Sequence, residues 1–374
     1  MFKFFGNKKK NKEIYERPKD HRNFVIHHYC PHTFNAGDHF VILSIRKHLS
    51  KYIENAVFIP KAIAKNRGWG EPVGLKGENI ELSNRYSDAV IIGGSDQYNN
   101  WSPKIKAEEI TNLTVPLFLI GLGVSSNDLN NKPYIKEERY YNDILQTNQK
   151  AAKSSVRDKT TEDFLKSLGY NDSVITGCPA LFLFNEELHV DEKKRYVALT
   201  FPYPLIRKNS GMNKYNKLIE SINKLIQLLK KLDLEPIISC HDDRDVIPAE
   251  SLFPNERIFF SNYPHDYFEF YKKAKFVVGS RLHATIFSSG LGIPTVNINL
   301  DLRGQGFSET FGLNNWNLNY DIESLDEKLE ERIIKIDDKD LSGFNDFVKI
   351  REMYKDKFNG FMKECAEIII KNKR

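Results

Sequence analysis

The chain has 374 residues, of which 40% are hydrophobic and 12% aromatic, and a formal net charge of +5. That length and apolar content can fill two packed domains, and a modest basic excess suits anionic small substrates or a membrane surface rather than a nucleic-acid groove, which needs a denser basic stripe. The four cysteines, Cys30, Cys178, Cys240 and Cys365, are too scattered for a zinc site or a disulfide framework, and no apolar run approaches the ~20 residues that span a bilayer.

Residues 1–23 read as a basic N-terminal tail, MFKFFGNKKKNK at its start, with no apolar run of signal-peptide length. A cytoplasmic location is expected. The aromatic and lysine-rich start also suits peripheral contact with the inner face of an anionic membrane.

From Phe24 strand and helix signals alternate as in a parallel sheet: FVIHHYC, then the helix DHFVILSIRKHLSKYI, then strands NAVFIP, DAVIIGG and PLFLIGLG, then SVRDKTTEDFLKSLG as a strand end entering a helix. Residues 24–185 are therefore expected to form one Rossmann-like domain, on the acceptor side of the site. In FNAGDHFV, Asn35 and Gly37 join strand to helix and Asp38 is expected to cap the helix N-terminus. GGSDQ places Gly94, Ser95, Asp96 and Gln97 after a strand, and GLGVSS ends the next one; two glycine-bearing strand ends suit an acceptor pocket. Arg157 stands where a strand meets a helix, with an ion pair to Asp158 as its plain structural role.

NEELHVDEKKR is charged and poor in apolar residues, the best linker in the chain. Residues 186–340 are expected to form a second Rossmann-like domain, on the donor side, opening with YVALTFPY. Leu218, Ile222, Leu225, Ile226 and Leu229 then share one helical face, and EPIISC follows as a strand with His241 just past its carboxyl end. RIFFSN and DYFEFYKKA lead to KFVVGSRLHATIFSSGLGIPTVNIN, a strand, helix and strand that set Ser280, Arg281 and His283 at a helix N-terminus. Backbone amides and the helix dipole hold anions there, Arg281 adds a planar fork for carboxylate or phosphate, and His283 adds a proton-transfer group. Arg303 follows the next strand, where surface exposure explains it equally well. Residues 341–374 read as one long helix, possible packing for which is the first domain.

NAGD, GGSDQ, GLGVSS, SVRDKTTEDFLKSLG, TGCPALFL, GSRLHATIFSSGLGIPTV and LDLRGQGFSETFGL, in that order from about Asn35 to about Leu313, together resemble the polysaccharide pyruvyl transferase family, with GSRLHA the most specific element. The resemblance implies an α/β fold of two Rossmann-like domains facing across a cleft, the GT-B-like glycosyltransferase architecture. It also implies transfer of the enolpyruvyl-derived group of phosphoenolpyruvate to two hydroxyls of a sugar as a ketal, with release of phosphate. Arg157 and Arg281 coincide with the family's arginines for the donor, and His283 with its proposed general acid. Arg303, in LDLR, replaces a lysine common in the family, which keeps charge but not geometry. Phosphoenolpyruvate is then a co-substrate, no cofactor or metal is expected, and the acceptor is a sugar or a lipid-linked glycan. Asn35, Gly37, Asp38, Gly94, Ser95, Asp96, Gln97 and His241 are the candidates for the acceptor side or the cleft, and Tyr98, Trp101, Tyr203 and Tyr263 read equally as aromatic platforms for a sugar or as core and loop packing. A GT-B nucleotide-sugar glycosyltransferase and a non-catalytic sugar-binding relative are the competing readings.

Overall fold

A computed structural model describes residues 23–31, 35–63, 73–94, 97–98, 105–126, 135, 137–184, 186–191 and 193–373, with backbone alone for 204–210. Short, largely buried runs make the inner strands of each sheet, as expected where helices cover both faces of a parallel sheet, while the edge strands are more exposed. The first sheet contains β1 (Phe24–Cys30), β2 (Ala56–Ala62), β3 (Ala89–Gly93), β4 (Leu117–Leu122), β5 (Lys153–Val156) and β6 (Val174–Ile175), in the order β2-β1-β3-β4-β5-β6. The second contains β7 (Tyr196–Thr200), β8 (Glu235–Ser239), β9 (Arg257–Phe259), β10 (Phe276–Gly279), β11 (Thr295–Asn299) and β12 (Asn317–Asn319), in the order β12-β11-β10-β7-β8-β9. All pairings within both sheets are parallel. The strand order reverses between β1 and β3 in one sheet and between β7 and β10 in the other, the two switch points at which open α/β sheets leave a crevice.

The helices of the first half are α1 (Ala36–Leu49), α2 (Glu78–Tyr86), α3 (Ala107–Ile110), α4 (Arg139–Lys150) and α5 (Lys159–Ser167). Those of the second are α6 (Tyr203–Lys231), α7 (Asp243–Leu252), α8 (Pro264–Lys272), α9 (Leu282–Gly290), α10 (Leu302–Phe311), α11 (Leu325–Asp337) and the long α12 (Asn345–Lys371). The run read as a helix around Leu218 extends back to Tyr203, with a break at Gly211, whose φ of 73° takes it out of helical geometry. The charged connection after 185 is pinned rather than loose: Glu186 and His189 donate backbone hydrogen bonds to Gly290 and Gly292. Along α12, Phe358 packs on His48 of α1 and on Phe182, and Lys153 of β5 pairs with Glu364 at 2.6 Å.

The two halves press together instead of standing apart. Phe40 of α1 stacks on Phe287 of α9 with ring centroids 3.9 Å apart, and one continuous buried cluster runs from Ile26 and Phe40 into Phe287 and Val296. Main-chain groups also cross the gap: Ala36 donates to the His241 carbonyl at 2.9 Å, and Leu302 donates to Ser126 Oγ at 3.1 Å. The cleft is thereby reduced to a small cavity at the switch points. Among the described residues no helix is long and apolar enough to cross a membrane.

Candidate functional site

The cavity is built where strands hand over to helices. β10 ends at Gly279, where a Cβ would stand 2.0 Å from the Thr200 carbonyl oxygen at the end of β7, so only glycine lets the two strands run this close. The chain then turns, Ser280 donates to the Thr200 carbonyl at 2.8 Å, and Arg281 occupies the N-cap position of α9 with His283 in its first turn. Beside them lie Pro202, following β7, and His241, following β8; the first half adds Asn35 and Arg157, and α10 adds Arg303. These groups enclose about 430 Å³, counting the open mouth.

Each arginine is held by a carboxylate. Arg157, 2% exposed, donates from Nε to Asp158 Oδ2 at 2.9 Å and from Nη2 to the Val124 carbonyl at 2.8 Å. Arg281 Nη2 donates to both oxygens of the fully buried Asp245, at 2.6 and 2.5 Å. Arg303 donates to Asp301 from Nε at 2.9 and 3.0 Å and from Nη2 at 2.5 Å. Asp158 and Asp301 are at the same time the N-caps of α5 and α10, so one side chain starts a helix and orients a guanidinium. Asp245 lies in the first turn of α7, capped by Asp242. Burial raises its carboxyl above the usual range, an effect partly offset by Arg281.

The structure thus brings Arg157, Ser280, Arg281, His283, Arg303, Asn35 and His241 to one cavity. Arg157 makes the expected ion pair with Asp158 and also lines the cavity. Asn35 rather than Asp38 caps α1, accepting from Gly37 N at 2.9 Å; Asp38 is a buried first-turn residue because the helix begins two residues earlier than the sequence suggested. Gly37 touches the site through packing: a Cβ there would stand 2.5 Å from His283 Cβ and 2.6 Å from its Nδ1.

The glycine turns serve the protein's own side chains. A Cβ on Gly94 would stand 1.8 Å from Val41 Cγ1, so this residue lets α1 settle on β3 and is not part of the cavity wall. Gly123, in GLGVSS, leaves room for the Arg157 guanidinium, whose Nε would lie 2.2 Å from a Cβ. Gln97 is buried outside the cavity, while Ser95, Asp96 and Trp101 lie outside the described residues. Tyr98 and Tyr203 are core residues, 0% and 1% exposed, which removes them as sugar platforms; Tyr263 is 58% exposed. All four cysteines are buried, and burial raises the thiols of Cys30 and Cys178 to about 11, far from the thiolate a nucleophile needs.

Ser280 Oγ, Arg281 Nε and His241 Nδ1, buried polar atoms on this cavity's residues, lack a protein partner among the described residues. Buried polar groups are normally paired, so these atoms could pair with a polar ligand in the cavity. Sequence reasoning missed Asp245 and Tyr271. Asp245 had a signal in the HDDRD cluster, whereas Tyr271 reads as an ordinary core position of an aromatic helix.

A model of the family described as polysaccharide pyruvyl transferase matches residues 35–301, well over half of the chain. The chain belongs to the polysaccharide pyruvyl transferase family. Membership makes it a transferase of pyruvyl groups in the general sense and spans the Arg157, Arg281 and His283 motifs. No curated protein matches the chain. Among solved structures, a UDP-GlcNAc 2-epimerase from Neisseria meningitidis bound to UDP-GlcNAc is similar at 12% identity, with a TM-score of 0.56, over 93% of this chain and 99% of that one. The MnaA–UDP structure from S. aureus has a TM-score of 0.54 at 12% identity, over 87% of this chain and 90% of that one. These likenesses show the fold, which is GT-B.

Proposed function

We propose that this pyruvyl transferase takes phosphoenolpyruvate as donor and transfers its enolpyruvyl-derived group to two hydroxyls of a sugar in a glycan or lipid-linked precursor, releasing phosphate. The observation that carries this reading is the convergence of Arg157 from the first half with Arg281 and Arg303 from the second around His283. Phosphoenolpyruvate holds a carboxylate and a phosphate a few bonds apart, and guanidinium forks that stay charged at every working pH match both groups.

The chemistry follows from where the charges stand. His283 gives a proton to the methylene carbon, and the neighbouring carbon bearing the phosphate becomes oxocarbenium-like. A sugar hydroxyl attacks that carbon, the carbon–oxygen bond to phosphate breaks, and a second hydroxyl closes the ketal. Of the two hydroxyl protons, one restores His283 and the other leaves with the phosphate. The arginines stabilise the departing phosphate, which gathers charge as it leaves.

Replacement of His283 by alanine should preserve phosphoenolpyruvate binding and lower phosphate release with a competent acceptor by about 100- to 10,000-fold, the usual worth of a general acid. A colorimetric phosphate assay with product masses from a panel of sugar acceptors reads both transfer and ring closure. Near-normal turnover in His283→Ala would remove the histidine from this role.

A further inference from the structure

We propose that His241 is an uncharged hydrogen-bond donor to the anion in this cavity, held as the Nδ1–H tautomer by a buried chain of two hydroxyls from Ser239 and Tyr271. The inference rests on the reading of the cavity as a donor-anion site, and it moves His241 from the acceptor side to the donor side.

Three elements converge on the ring. His241 follows β8 and is 1% exposed; its Nε2 lies 2.6 Å from the hydroxyl of Tyr271 in α8, and that hydroxyl lies 3.0 Å from Ser239 Oγ at the end of β8. Tyr271 and Ser239 are 0% and 1% exposed, so bulk solvent does not reach these hydroxyls. Run from Ser239 to Tyr271 to His241, each hydroxyl proton has an acceptor, and the single proton of a neutral imidazole is left on Nδ1. Run the other way, from His241 Nε2–H to Tyr271 to Ser239, the chain ends on the Ser239 hydroxyl and offers its proton no acceptor within the chain.

The surroundings keep the ring neutral. Burial, then the charge of Arg281, then that of His283 push its pKa well below 6.5, with Asp242 the opposing carboxylate. The position is anchored as well, because the His241 carbonyl accepts from Ala36 N across the two halves and the ring meets Tyr267 and Phe40 edge-on. What remains is Nδ1, buried on a residue of the cavity wall and without a protein partner among the described residues. A neutral donor there adds a directional contact to an anion without adding another positive charge to the cluster.

Nitrogen-15 NMR of the histidine side chains, with calorimetric titrations of phosphoenolpyruvate and of inorganic phosphate, tests this on wild type, His241→Ala and Tyr271→Phe. The wild-type His241 should be protonated at Nδ1 before ligand is added, and Tyr271→Phe should shift the ring toward the Nε2–H form. Both variants should bind phosphoenolpyruvate about 10-fold more weakly or worse, as befits a lost hydrogen bond to a charged group. The tautomer readout separates this from a packing defect. An Nε2–H tautomer in the wild type, or unchanged affinity in both variants, would overturn the inference alone. A wild-type protein that binds neither anion would overturn the donor-site reading on which it rests.

Discussion

At the scale of single residues, the site is a set of cations already paired before any ligand arrives. Arg281 is the sharpest case, since both oxygens of Asp245 sit on one of its nitrogens and that carboxylate has no exposure to water. Removing one member of a buried pair commonly destabilises by about 3–5 kcal/mol because the other charge is left uncompensated. Asp245→Asn should therefore lower the melting temperature of the free protein, and a bound anion should replace the missing charge. Saturating phosphoenolpyruvate is expected to raise the melting temperature of Asp245→Asn more than that of the wild type; an equal or smaller rise would show that Asp245 does not compete with the donor for Arg281. The arginines and His283 were legible because their motifs set them at strand ends. The HDDRD cluster marked Asp245 as an acid of interest, but its pairing was not legible, because its partner lies 36 residues on and only the fold brings the two together. Gly94 and Gly123 were legible as close approaches, but Val41 and Arg157 are what approaches them.

At the scale of elements, the strands were readable because parallel strands covered on both faces are continuous apolar runs, and β3 and β4 match that pattern with every residue buried. Helices α2 and α4 were not readable, since each buries only three residues against the core and carries a mostly polar sequence. One consequence of element packing is acid sensitivity. Burial lowers His27 and His28 of β1 to about 4 and about 3, with Lys61 and Arg46 adding to the effect, and lowers His48 of α1 to about 4. The folded state therefore keeps three imidazoles neutral that the unfolded chain protonates near 6.5, so the unfolded state binds more protons in between. Stability is full above about pH 6.5 and falls as the pH drops through 6.5 toward 4. Chemical unfolding at pH 7 and pH 5 should show a marked loss at the lower pH, which His48→Gln should partly relieve. A flat profile over that window would mean that the rings gain protons without unfolding.

At the scale of the whole molecule, two parallel sheets could be anticipated from the alternating strand and helix signals, but their closeness could not. Apolar periodicity shows that α1 and α9 have buried faces without showing that Phe40 and Phe287 meet each other across the halves. That contact, with the Ala36–His241 and Leu302–Ser126 hydrogen bonds, holds Arg157 beside Arg281 and Arg303 around one cavity. The proposed donor differs from the UDP and UDP-GlcNAc with which proteins of the same fold were solved. Isothermal titration of phosphoenolpyruvate and of uridine diphosphate into wild type and Arg281→Lys decides the matter. The account predicts one phosphoenolpyruvate bound per chain, an affinity weakened by Arg281→Lys through loss of the planar fork, and no heat from uridine diphosphate. Binding of uridine diphosphate without binding of phosphoenolpyruvate would contradict it.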